Sequence, residues 1–140
     1  MEISFNTETI RMINFFENIT GVKIKDCIIE NETNTVYFVV EEGKIRLVIG
    51  KNGRIIKNLE EKIKKKIKVF EFSKDLPTFI KKLIPQAKEV RIKNENNNIV
   101  VEIEVNKKDR AIVIGRDKRN LKIYKTFLNR FYNVTDLIVK

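Results

Sequence analysis

Two seven-residue segments concentrate the side chains suited to chemistry: Val48-Ile49-Gly50-Lys51-Asn52-Gly53-Arg54 and Val113-Ile114-Gly115-Arg116-Asp117-Lys118-Arg119. They stand 65 positions apart, and each runs from apolar residues through a glycine into a basic turn and a new helical pattern. The first contains Gly-x-x-Gly. A residue without Cβ permits positive φ and lets a second backbone approach closely. The helix that opens after the turn points unpaired N–H groups and the positive end of its dipole outward. Lys51, Arg54 and Lys57 add full charges, and Asn52 offers donors while tolerating left-handed backbone. Such a set fits a nucleic-acid phosphate, with Ile49 and Ile56 as an apolar wall for bases. Gly-x-x-Gly alone marks only a tight turn. Its place between a short and a long amphipathic helix, and its recurrence, give it meaning.

The second copy departs from the first. Lys118 stands where the second glycine belongs, and Asp117 brings a negative charge into a phosphate site. Two readings stay open, a degenerate turn kept for packing and a charged contact through Arg116, Lys118, Arg119 and Lys122. The expectation is close main-chain contact at Gly50–Gly53 and a looser electrostatic track from Gly115 onward.

Other chemistries find little support. The chain has no histidine and one cysteine, and no metal-ligand spacing is clustered, so neither enzyme activity nor a cofactor or metal is expected. Gly43 to Lys51 falls short of a nucleotide-binding loop, because Asn52 replaces the Ser/Thr hydroxyl that would hold Mg²⁺. Cys27 lies in an apolar alternation with Val22, Ile24 and Ile28, which suits a buried thiol in a reducing compartment. The run Lys62–Lys68 is taken as helical, with Ile63 and Ile67 on one side. It reads first as a solvated lysine face, with RNA contact as the alternative. Phe16, Phe38, Phe70, Phe127 and Phe131 fall on core positions, which leaves Tyr37, opposite Phe38 in its strand, as the better stacking candidate. Glu102 and Glu104 are expected on the exposed side of a strand, Asp75 and Asp109 near helix starts.

Twenty-nine basic residues against nineteen acidic ones leave a charge of +10, which suits an acidic polymer or surface as partner, the alternative being a generally lysine-rich solvated surface. Hydrophobic residues at 42% are ample for a packed core. Met1–Phe5 lacks the basic start of a signal peptide, and no apolar run reaches the roughly 18 residues of a membrane span. The expected location is the cytoplasm, with no membrane partner.

Hydrophobic spacing supplies the elements that hold the turns. Asn6 caps a helix bearing Met12, Ile13, Phe16 and Ile19 that stops near Gly21; strands follow at Val22–Ile29 and Thr35–Glu41. A short helix (Ile45, Val48, Ile49) enters the first turn. A long one (Ile56, Leu59, Ile63, Ile67) leaves it, and Val69–Phe72 is a closing strand. Ser73-Lys74-Asp75 is the seam, giving domains 1–73 and 74–140. The second domain repeats the order: a helix capped by Asp75 and ended by Pro85, strands Lys88–Lys93 and Ile99–Val105, and a short helix at Arg110–Ile114. A long helix with Leu121, Tyr124, Phe127, Leu128 and Phe131 follows, then strand Val134–Val139.

This order, with the stretch Ile45–Ile56, resembles a type II KH domain (α-β-β-α-α-β). Two in tandem, filling essentially the whole chain, are similar to the short archaeal NusA proteins. The resemblance implies an α+β fold of two type II KH domains, each a three-stranded mixed sheet packed against helices. It also implies single-stranded RNA crossing both domains and a role in transcription elongation, termination or antitermination. By match to the family turn, Gly50, Lys51, Asn52 and Gly53 form the backbone clamp, and Gly115, Arg116, Asp117 and Lys118 take the same place in the second domain. The alternative is a module docking on RNA polymerase or a ribosomal component. A monomer is the default state.

Overall fold

In a computed structural model, residues 6–140 are described, so the reading of Met1–Phe5 lies outside them. Helix α1 (Thr7–Thr20) begins where the Asn6 side chain accepts the Thr9 N–H at 3.1 Å, and it ends on Gly21 in left-handed conformation. Strands β1 (Ile24–Glu30) and β2 (Thr35–Val40) form an antiparallel hairpin. After the short helix α2 (Ile45–Ile49), the turn, and helix α3 (Arg54–Ile63), strand β3 (Lys66–Glu71) pairs parallel with β2. The sheet is mixed, in order β1-β2-β3.

The same sequence of elements then recurs. Helix α4 (Leu76–Leu83) is capped by the Asp75 carboxylate, which accepts the Thr78 N–H. It stops before Ile84, whose φ −129°, ψ 81° lies outside the α region that a following proline disfavours. Strands β4 (Glu89–Glu95) and β5 (Asn98–Glu104) are antiparallel, while β6 (Asp136–Val139) joins β5 in parallel after helices α5 (Arg110–Ile114) and α6 (Arg119–Tyr132). The β4–β5 turn is tighter than Asn94–Asn98. Only Asn96 and Asn97 lie in it, both at positive φ, the requirement of a two-residue hairpin. The chain divides into two units between Ser73 and Lys74.

Each sheet packs one face against its own helices, and in the first sheet β2 is buried on both faces. In the first unit Phe16 of α1 stacks on Phe38 of β2 with ring centroids 4.1 Å apart, among Cys27, Val36, Val40, Val48, Leu59 and Ile67. Fully burying one such side chain contributes about 1.5–3 kcal/mol. In the second unit Val101, Ile103, Val113, Ile123, Phe127 and Leu128 are buried. Ile123, rather than the half-buried Leu121 or Tyr124, is the deep residue of the first half of α6.

Four expectations need correction. Ile67 belongs to β3, so Lys62–Lys68 is split between a helix end, a junction and a strand. Ile19 is exposed, because the stripe of α1 that meets the sheet is centred on Phe16. Tyr37 is only 4% exposed and not available to stack on a base; the Phe70 ring lies 6.4 Å from its own, centroid to centroid, and Lys68 Nζ lies 6.0 Å over it. Glu102 is buried too. It accepts from Lys140 Nζ at 3.1 Å, Arg91 Nε at 3.3 Å and Lys93 Nζ at 3.4 Å, three cations that close over its side of β5. Lys140 foremost, then Arg91 and Lys93, draw its carboxyl down to about 2 from 4.5, against the opposing effect of burial.

Candidate nucleic-acid interface

Helix α2 ends when the Gly50 N–H reaches Arg46 O at 3.0 Å, and Gly50 then takes φ 76°, ψ 172°. Lys51–Gly53 make a single tight 3₁₀ turn, with Asn52 at φ 56°, ψ 27° and Gly53 at φ 73°, ψ 17°. The second copy is the same loop in main-chain terms. Gly115 has φ 77°, ψ 167°, Asp117 φ 56°, ψ 31°, and Lys118 φ 61°, ψ 24°. The lost glycine has therefore not changed the turn. A lysine is held in left-handed backbone instead, at a cost of about 1–2 kcal/mol.

The two glycine positions differ in kind. A Cβ on Gly50 would lie 2.7 Å from Ile55 Cγ1 and 3.0 Å from its backbone N; one on Gly115 would lie 2.9 Å from the Asn120 N. Their φ/ψ region is in addition nearly exclusive to glycine. The first glycine is thus demanded by the turn itself. A Cβ on Gly53 would meet nothing closer than 3.8 Å, so the protein's own packing tolerates the side chain that Lys118 carries.

Neither α3 nor α6 receives a side-chain cap at its start; the first N–H of each helix bonds within the turn instead, Arg54 to Lys51 O and Arg119 to Arg116 O. Around the first start Lys51, Asn52, Arg54 and Lys57 are exposed or half-exposed, with Gly50 and Gly53 partly so. Around the second, Arg116, Asp117, Lys118 and Lys122 are exposed, whereas Arg119 is half-buried. All twelve expected site residues thus gather at two helix junctions. Asn120 ties the second junction together, donating from Nδ2 to Ile112 O at 2.9 Å.

Beside the second turn runs a groove of about 460 Å³ between α5/α6 and β6, with Ile114 and Leu121 in its lining and Lys118, Lys122 and Lys125 along α6. Ile114 and Leu121 are the counterparts of Ile49 and Ile56, the expected apolar wall in the first unit. Lys125 and Arg110 join the lining although the sequence reading does not single them out. Lys118, Lys122 and Lys125 at four- and three-residue steps share one helix face, a signal present in the sequence.

Paired mixed sheets with a glycine turn between two helices in each unit define a tandem KH fold. A family model described as KH domain matches residues 11–74. The probable transcription termination protein NusA of Thermoplasma acidophilum is 35% identical over 141 positions, covering 99% of this chain and 96% of that protein. The protein of the same name from Methanocaldococcus jannaschii is 35% identical, with 99% and 75% covered. A crystal structure of APE1850 superposes with a TM-score of 0.78 at 33% identity, covering 97% of this chain and 100% of that one. The chain belongs to the archaeal NusA family. Among the described residues no helix is long and apolar enough to cross a membrane.

Proposed function

We propose that this chain is a non-enzymatic, NusA-like transcription factor that binds single-stranded RNA at the two glycine turns and acts in termination or antitermination. The observation that carries the reading is the turn built twice with one backbone geometry, each time opening an uncapped helix amid exposed cations. Main-chain amides and the helix dipole supply donors to phosphate at Gly50–Gly53, where the bare Gly53 leaves room for a sugar–phosphate backbone. Lys51, Arg54 and Lys57 add charge. At the second turn Arg116, Lys118 and Lys122 supply charge, while the Lys118 side chain and Asp117 keep the strand farther off. The names of the relatives support the transcriptional role.

A double variant, Lys51→Asp with Asn52→Asp, tests this. Asp117 already occupies the left-handed position equivalent to Asn52, so folding is preserved. RNA affinity is expected to fall by at least about tenfold, as reversing charge at a phosphate site implies; unchanged affinity would reject the reading. Docking on RNA polymerase is the second reading, favoured by Leu47 and Ile112. These are 57% and 64% exposed at equivalent positions of α2 and α5.

A further inference from the structure

The lysine run with the spacing of one helix side is folded into something else. Lys64 ends α3 in left-handed conformation, with its N–H on Glu60 O at 2.8 Å. Asn34, in the β1–β2 turn, holds the junction from the other side: its Nδ2 donates to Lys64 O at 2.8 Å and its Oδ1 accepts from Lys65 Nζ at 3.0 Å. Its backbone carbonyl accepts from Lys66 N at 3.0 Å. Glu60 in turn accepts the Ile67 N–H at 2.9 Å. These bonds fix the α3–β3 junction around a broad groove of about 680 Å³ lined by five lysines and two glutamates. One of those glutamates, Glu60, is engaged with the backbone. Lys64, Lys66 and Lys68 are exposed.

The groove beside α6 and β6 in the second unit differs: its lysines, Lys118, Lys122 and Lys125, all come from the helix side and none from the strand. In the parallel ladders Lys66 pairs with Thr35, and its counterpart there is Asp136, paired with Val100. Asp136 is bound to Lys125 Nζ at 3.1 Å, and α6 runs four residues longer before β6 begins. Lysines on the helix–strand junction and on the strand itself are therefore not a by-product of the shared architecture.

From these observations the geometry points to a second RNA-backbone contact, confined to the first unit, at Lys64, Lys66 and Lys68. This rests on the reading that the Gly50–Gly53 turn binds single-stranded RNA. The ten residues of α3 separate turn from junction by about 15 Å along the helix, and Lys57 lines the groove between them. A KH turn holds about four nucleotides, so the junction serves only a longer strand. It lengthens the footprint and raises the salt dependence without changing what the turn recognises.

The test uses the full chain and oligouridylates of about four and about twelve nucleotides, read by fluorescence anisotropy. The triple variant Lys64→Gln, Lys66→Gln, Lys68→Gln is compared with Lys23→Gln, Lys81→Gln, Lys88→Gln, an equal loss of charge at exposed lysines elsewhere. With about three phosphates no longer neutralised, the junction variant should bind the long oligomer at least about tenfold more weakly and the short one as wild type does. Its salt slope on the long oligomer should be shallower by about 2. Equal effects from both triples, or an equal effect on both oligomers, would overturn the proposal in favour of diffuse charge. Loss of polyglutamate binding with undiminished RNA binding would assign the junction to an acidic protein segment, which also overturns it. Should wild type bind RNA through its turn while the junction triple changes nothing, only this inference fails. Should wild type bind neither oligomer, the RNA reading fails with it.

Discussion

Lys118 takes φ 61°, ψ 24°, the left-handed conformation that Gly53 adopts at φ 73°, ψ 17° in the first unit. The two turns therefore share a main chain, although only one keeps both glycines. What distinguishes them is what stands on that main chain, a bare position and an asparagine in one, a lysine and an aspartate in the other.

The glycines should separate by substitution. Gly50→Ala and Gly115→Ala each force a Cβ against the following helix in a glycine-only region, and are expected to cost about 3 kcal/mol or more. Gly53→Ala meets no such obstacle and suffers mainly from its positive φ, about 1 kcal/mol. Thermal unfolding of the three variants checks the ranking. Equal losses at positions 50 and 53 would contradict it.

Lys118→Gly should relieve strained backbone, offset in part by the greater freedom of glycine in the unfolded chain. The expected net gain is about 0.5–1 kcal/mol, a rise of a few degrees in Tm. A falling Tm would show that the lysine side chain contributes packing that outweighs its backbone strain.

Asp117→Asn removes the negative charge from the second turn and keeps a residue suited to positive φ. RNA affinity should rise by about fivefold, corresponding to about 1 kcal/mol for one charge near a phosphate. Titration of a labelled oligoribonucleotide measures it. No change would mean that the second turn stands clear of the strand.

Acid stability should report on Glu102. Its carboxyl is held near 2 in the folded chain, below its ordinary 4.5, so its contribution is complete above pH 4.5 and disappears as pH falls toward 2. In Glu102→Gln, stability at neutral pH should be lower and the decline between pH 4.5 and 2 shallower. Chemical denaturation across that range decides it; parallel curves for the two proteins would exclude the linkage.

Local pattern made much of this legible. The Asn6 and Asp75 caps and the two glycine turns are short-range signals, and the structure carries each. The misreadings share a cause in interactions between residues distant along the chain. Ile63 and Ile67 keep helical spacing, yet α3 stops between them where Asn34, thirty residues upstream, pins the Lys64 carbonyl. Alternation points Glu102 outward, but cations from β4 and Lys140 bury it. Tyr37 is shielded from solvent on the side opposite Phe38, with Phe70 and Lys68 of β3, distant along the chain, against its ring. The conformation of Lys118 is equally hidden. Its residue type argues against left-handed backbone, and only the repeated geometry imposes it.

The most direct test of the account is a backbone-amide NMR titration of the full chain with single-stranded oligoribonucleotide at low salt. The largest shifts are expected at residues 50–57, with smaller ones at 115–122, both weakening as salt is raised. Absence of shifts at Gly50–Gly53, with RNA bound elsewhere or not at all, would contradict it.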